Sequence, residues 1–67
     1  MSVYKVIELV GTSETSWEEA ARTAITTASK TLKDLRVAEV AELDMRVEEG
    51  KLVYRAKMKV SFKVHEQ

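Results

Sequence analysis

The side chains able to do chemistry are few in this sequence, and none of them is arranged for turnover. The single histidine, His65, stands third from the end of the 67-residue chain, where chain ends are ordinarily mobile. Thr12, Ser13 and Ser16 have no histidine near them in sequence, and helix capping accounts for them. Gly11 stands alone, so there is no glycine-rich loop to cradle a phosphate. With no nucleophile beside a base and no acid–base pair, the residues describe a binding or structural protein and not an enzyme.

Carboxylates offer the next possibility. Glu42, Asp44, Glu48 and Glu49 crowd one short stretch, and hard cations such as calcium favour carboxylate oxygens. Asp44 and Glu42 are therefore candidate metal ligands, although the spacing of a calcium-binding loop is missing and a charged hairpin is ordinarily a solvated edge. Glu39 interrupts an otherwise apolar run. It is expected to pair with Lys59 or another basic side chain, across the sheet or across subunits, with a metal or ligand contact as the alternative. Trp17 can stack on an aromatic ligand, but its place on an alanine-lined stripe favours packing against a sheet or a neighbour.

Composition narrows the class further. Eleven basic residues balance eleven acidic ones, which removes the electrostatic case for nucleic acid binding. No apolar run is long enough for a membrane span. The start carries charges inside its apolar stretch and lacks a signal-peptide layout, so a cytoplasmic protein is expected. There is no cysteine, which excludes disulfides and thiolate metal sites. A chain this short buries only about 60% of its unfolded surface. Oligomerisation is then the remaining support.

The elements follow from periodicity. Residues 1–67 form one domain, divided at Gly11 and Gly50, both expected in turns. Val3 to Val10 reads as a strand with Val3, Ile7 and Leu9 on one face and Tyr4, Val6 and Val10 on the other. One helix can cover only one of those faces, so the second calls for another subunit. Ser16, or Thr15 one residue earlier, caps a helix, with Glu19 placed to complete a capping box. Its stripe is Trp17, Ala20, Ala21, Ala24, Ile25, Ala28 and Leu32, and Lys30 and Lys33 near its end suit the dipole.

From Leu35 the period is two. Leu35, Val37, Ala41, Leu43, Met45 and Val47 share a face, broken by Glu39, and the last strand alternates from Leu52 through Tyr54, Ala56, Met58, Val60 and Phe62 to Val64. The apolar faces coincide only if paired numbers sum to an odd total. Placing Val47 opposite Leu52 does this, through a two- or four-residue loop, and also sets Asp44 against Arg55 and Glu42 against Lys57. A regular third strand with a long apolar face belongs between the other two. The expected fold is α+β: a βαββ chain whose three-stranded antiparallel sheet half-wraps one helix.

This layout resembles the dodecins. The resemblance spans nearly the whole chain and rests on Tyr4-Lys5-Val6 leading into Gly11-Thr12-Ser13, a capped alanine-rich helix, Ala38-Glu39-Val40, and Tyr54, Val60 and Phe62 in the final strand. It implies a hollow homododecamer that binds small molecules. Many dodecins hold pairs of flavins near two-fold axes, stacked on a tryptophan and hydrogen-bonded by a glutamine. The matching ligand-site positions here are Val37 and Arg55, so the resemblance implies the shell with weak or absent flavin binding. Thr15-Ser16-Trp17-Glu18 with Asp44-Met45 is closer to the calcium dodecins, which makes calcium the other ligand implied.

Overall fold

The computed structural model describes residues 1–64. Four elements follow in order: β1 (Val3–Ser13), α1 (Trp17–Ala28), β2 (Leu35–Glu48) and β3 (Lys51–Val64). The sheet order is β1-β3-β2, with both pairings antiparallel, so β3 holds the central place expected of it. Among the described residues no helix is long and apolar enough to cross a membrane.

Strand β1 runs three residues past Val10, and Gly11 is not a turn. It pairs with Ala56 inside the ladder. A Cβ added there would meet the Ala20 carbonyl oxygen at 2.0 Å and the Ala24 Cβ at 2.9 Å. The glycine is thus the point where the backbone of α1 approaches the sheet most closely. Gly50 does lie in a turn. Glu49 and Gly50 have φ of 44° and 79° between the paired Glu48 and Lys51, and positive φ at both positions defines the type I′ hairpin.

The helix begins as its cap predicts, with Ser16 Oγ accepting from the Glu19 N–H at 3.0 Å. Glu19 does not complete a capping box, however. Its carboxylate accepts from the Ser13 hydroxyl at 3.1 Å, and Ser13 Oγ in turn accepts from the Thr15 and Ser16 amides. The last strand residue of β1 therefore ties off the free amides at the helix entrance. The α-helix closes at Ala28, so Lys30 falls in the turn beyond it and Leu32 and Lys33 in the link to β2, and its last turn carries no basic residue.

The hairpin register is the odd-sum register at its closed end: Val47 faces Leu52, Asp44 faces Arg55 and Glu42 faces Lys57. Two irregularities then change the parity. Ala41 is an extra residue between Val40 and Glu42, and Arg36 another between Leu35 and Val37. A bulge shifts every following side chain to the opposite face. The helix side of β2 consequently carries Leu35, Ala38, Val40, Leu43, Met45 and Val47. Val37 and Glu39, expected among them, point away. Glu39 does not break the apolar face; it lies opposite Lys59 on the far side.

Helix α1 packs over β1 and β3. Ala20, Ala56, Met58 and Val60 are buried, while Val40, Leu43, Met45 and Val47 on the helix side of β2 are about half exposed or more. The sheet wraps one helix, and the helix covers only part of the sheet.

Candidate functional site

The face of the sheet turned away from the helix carries all four candidate site residues. The two registers order it in rows across β1, β3 and β2: Thr12–Arg55–Asp44, Val10–Lys57–Glu42, Glu8–Lys59–Glu39 and Val6–Ser61–Val37. Basic residues occupy the central strand and acidic ones flank them. Val6, Val10 and Val37 add apolar positions that the subunit leaves uncovered; Val37 is 62% exposed.

Asp44 and Arg55 form the tightest contact of this face. Arg55 Nε donates to one carboxylate oxygen at 2.7 Å and Arg55 Nη2 to the other at 2.8 Å, a two-point grip that matches guanidinium to carboxylate geometry. In the next row Lys57 lies 3.3 Å from Glu42. These four residues and Val10 line a shallow depression of about 230 Å³. The hydrogen bond from Arg55 holds the Asp44 carboxyl below its ordinary value of 3.8, helped by the positive charges of Arg55 and Lys57 and opposed by desolvation. The same bond raises the Arg55 guanidinium above its already high value.

A group with a depressed acidic pKa stabilises the fold above its unfolded value, and that contribution is lost as pH falls through the folded one. For Asp44 the loss therefore falls below about pH 3.8. Replacing Arg55 with Gln is expected to bring the Asp44 titration up to near its ordinary value, followed by carboxyl NMR. An unchanged titration would mean that the grip is absent in solution.

Val37 and Arg55 share this face but not a pocket. Val37 pairs with Ser61, six residues along β3 from Arg55. At about 3.3 Å per residue the two lie roughly 20 Å apart. A compact ligand touching both must therefore lie between subunits.

Asp44 and Glu42 are neighbours on the same face, as metal ligation would need, but each is engaged by a basic partner. Among the described residues no group of three or more acidic or histidine side chains is placed to hold an ion. The other two carboxylates of that stretch, Glu48 and Glu49, lie at the hairpin end with Glu14 and Lys51. His65 lies outside the described residues.

Trp17 packs on the sheet, edge-on to Tyr54 with ring centroids 5.1 Å apart and planes at 76°. Its indole N–H also donates to the main-chain carbonyl of Asp44 at 3.0 Å. Nothing in the local sequence signals that bond, because 27 positions separate donor and acceptor.

Residues 3–65 match the protein-family model described as Dodecin. The chain is 55% identical over 65 residues to the calcium dodecin of Mycobacterium tuberculosis, covering 96% of this chain and 92% of that relative. It is 42% identical over 65 residues to the dodecin of Thermus thermophilus, covering 96% and 94%. The solved structure of the Mycobacterium tuberculosis calcium dodecin, a calcium-chelating immunodominant antigen with a novel calcium-binding site, aligns with a TM-score of 0.88 at 52% identity. That alignment covers 98% of this chain and 96% of the other.

Proposed function

Because the chain belongs to the dodecin family, we propose that it forms a homododecameric shell that binds a small ligand between its subunits, and that this ligand is not flavin. The protein acts by binding and storage, without catalysis, in the cytoplasm, and needs neither nucleic acid nor a membrane.

The observation that carries this reading is the pair of site positions on the outer sheet face. Val37 and Arg55 stand about 20 Å apart there, six residues along β3, so only a neighbouring copy can bring the two types of contact onto one ligand. Both side chains also work against a flavin. Val37 offers no ring for stacking, and Arg55 commits two of its five N–H donors to Asp44 and has no acceptor to offer. The apolar residues left open on both faces of the subunit support the shell.

Native mass spectrometry is expected to give a mass near twelve times the 7.6 kDa chain. Riboflavin fluorescence should be little quenched by the purified protein. A stable folded monomer or dimer at micromolar concentration would overturn the assembly, and submicromolar quenching would overturn the exclusion of flavin.

A calcium-binding shell is the second reading, supported by the identity to a calcium dodecin. Asp44 and Glu42 do not fit that ion as they stand. Calcium takes about six to eight oxygens, whereas both oxygens of Asp44 accept from Arg55 and Glu42 faces Lys57. If the shell binds calcium, millimolar calcium should raise its unfolding temperature. Retention of that rise in the Asp44→Asn, Glu42→Gln double variant would place the ion elsewhere.

A further inference from the structure

Trp17 touches the sheet from the helix side, yet both of its contacts end beside the ion pair that emerges on the opposite side. Its N–H is bonded to the Asp44 carbonyl, and its ring meets Tyr54, the residue before Arg55. Met45 faces Tyr54 and Asp44 faces Arg55, so the indole reaches adjacent residues of both strands at once. The indole itself is held firmly. Trp17 is the first residue of α1 and directly follows the cap Ser16, and that entrance is fastened by the Ser13 and Glu19 bonds.

Packing on Tyr54 alone would call for a ring of the right size. An indole has a single donor, and directing it at the main chain of Asp44 adds a constraint that ring packing does not need. The two-point grip between Asp44 and Arg55 is sensitive to just that constraint, because two parallel bonds require carboxylate and guanidinium to stay coplanar.

We propose that Trp17 is a positioning residue for the Asp44–Arg55 pair, pinning the Asp44 backbone from the helix side so that its carboxylate keeps Arg55 engaged on the outer face. This rests on the reading of the outer face as the ligand face. Trp17 then sets which ligands that face accepts without touching them: while the pin holds, the guanidinium edge that grips Asp44 is withheld from any anion offered there.

The chain has one tryptophan, so a ¹⁵N-labelled assembly gives one indole N–H signal. Arg55→Gln changes the opposite face and is expected to shift that signal and speed its solvent exchange about fivefold, the factor that loss of one ordinary hydrogen bond implies. Lys59→Gln, two rows away on the same face, should leave it in place. In the reciprocal direction, Trp17→Phe keeps the ring and removes the donor. The Arg55 Nε–H should then exchange several-fold faster, while the Nε–H of Arg46, paired with Glu48, stays as it was.

An indole signal indifferent to Arg55→Gln overturns the proposal, as does an unaltered Arg55 in a folded Trp17→Phe variant. If Trp17→Phe fails to fold, the Arg55→Gln arm decides alone. Submicromolar riboflavin binding by the parent would overturn the proposed function while leaving these couplings intact.

Discussion

Replacing Gly11 with alanine is expected to cost at least about 3 kcal/mol, the upper part of the range for overpacked sites. The added methyl would stand 2.0 Å from the Ala20 carbonyl oxygen and 2.8 Å from its carbon. Those are backbone atoms of α1, so no rotamer change relieves them, and the helix itself must lift from Ala56 and the strand below. In a domain of this size, 1 kcal/mol moves the unfolding midpoint by about 4–8 °C. A drop of roughly 15 °C or loss of the assembly should follow in thermal denaturation monitored by circular dichroism. Gly50→Ala is the natural contrast. Nothing lies within 4 Å of its added methyl, and only the positive φ of 79° resists the change, at a cost of about 1–2 kcal/mol. A Gly11→Ala protein that melts within a few degrees of the parent would refute the close approach of helix and sheet.

The double substitution Val37→Trp with Arg55→Gln is expected to raise riboflavin affinity by at least about tenfold, or about 1.4 kcal/mol. Stacking on an aromatic supplies about 0.5–1.5 kcal/mol beyond area burial, and glutamine restores a donor and an acceptor. Arg55→Gln also releases Asp44 from its grip. Because the two positions lie far apart within one subunit, the gain should vanish under conditions that dissociate the assembly. Fluorescence titration at high and low protein concentration tests both parts. An intact assembly with unchanged affinity would show that these two positions do not close the face to flavin.

Much of the fold was legible because several independent signals agreed. The alternation of β3 and the parity of the hairpin derive from a local period and the Ser16 cap from residue type at a helix start, and the charge pairs Asp44–Arg55 and Glu42–Lys57 emerged from a register chosen on apolar grounds alone. The failures have a common cause. Gly11 looks like punctuation until Ala20, Ala24 and Ala56 converge on it from other elements. The bulges at Arg36 and Ala41 each cancel a period that the sequence otherwise obeys. Their trace was present, since Glu39 fell where an apolar residue was due while its neighbours Ala38 and Val40 are apolar. That trace pointed to a misplaced charge as readily as to a shifted frame. The site was harder still. Val37 and Arg55 were placed by resemblance, and their separation along β3 exists only once both ladders are in register. The Trp17 bond depends on how far the helix entrance overhangs β2, which no pattern of residue types encodes.

The four hydrophobic residues buried among those described, Ala20, Ala56, Met58 and Val60, include two alanines, and such a small core makes stability depend on numbers. In a shell of twelve, each tenfold dilution weakens assembly by roughly 1.2 kcal/mol per subunit, close to the full value of RT ln 10. Stability is then a property of the population and not of the individual chain. A cell making few copies would hold them as half-covered folding intermediates, with the open band of β2 exposed to chaperones and proteases. A cell making many would drive them past a threshold into particles that outlast their synthesis. Abundance of such a protein should therefore respond to gene dosage more steeply than in proportion, with degradation clearing unassembled subunits at the low end and assembly protecting them at the high end.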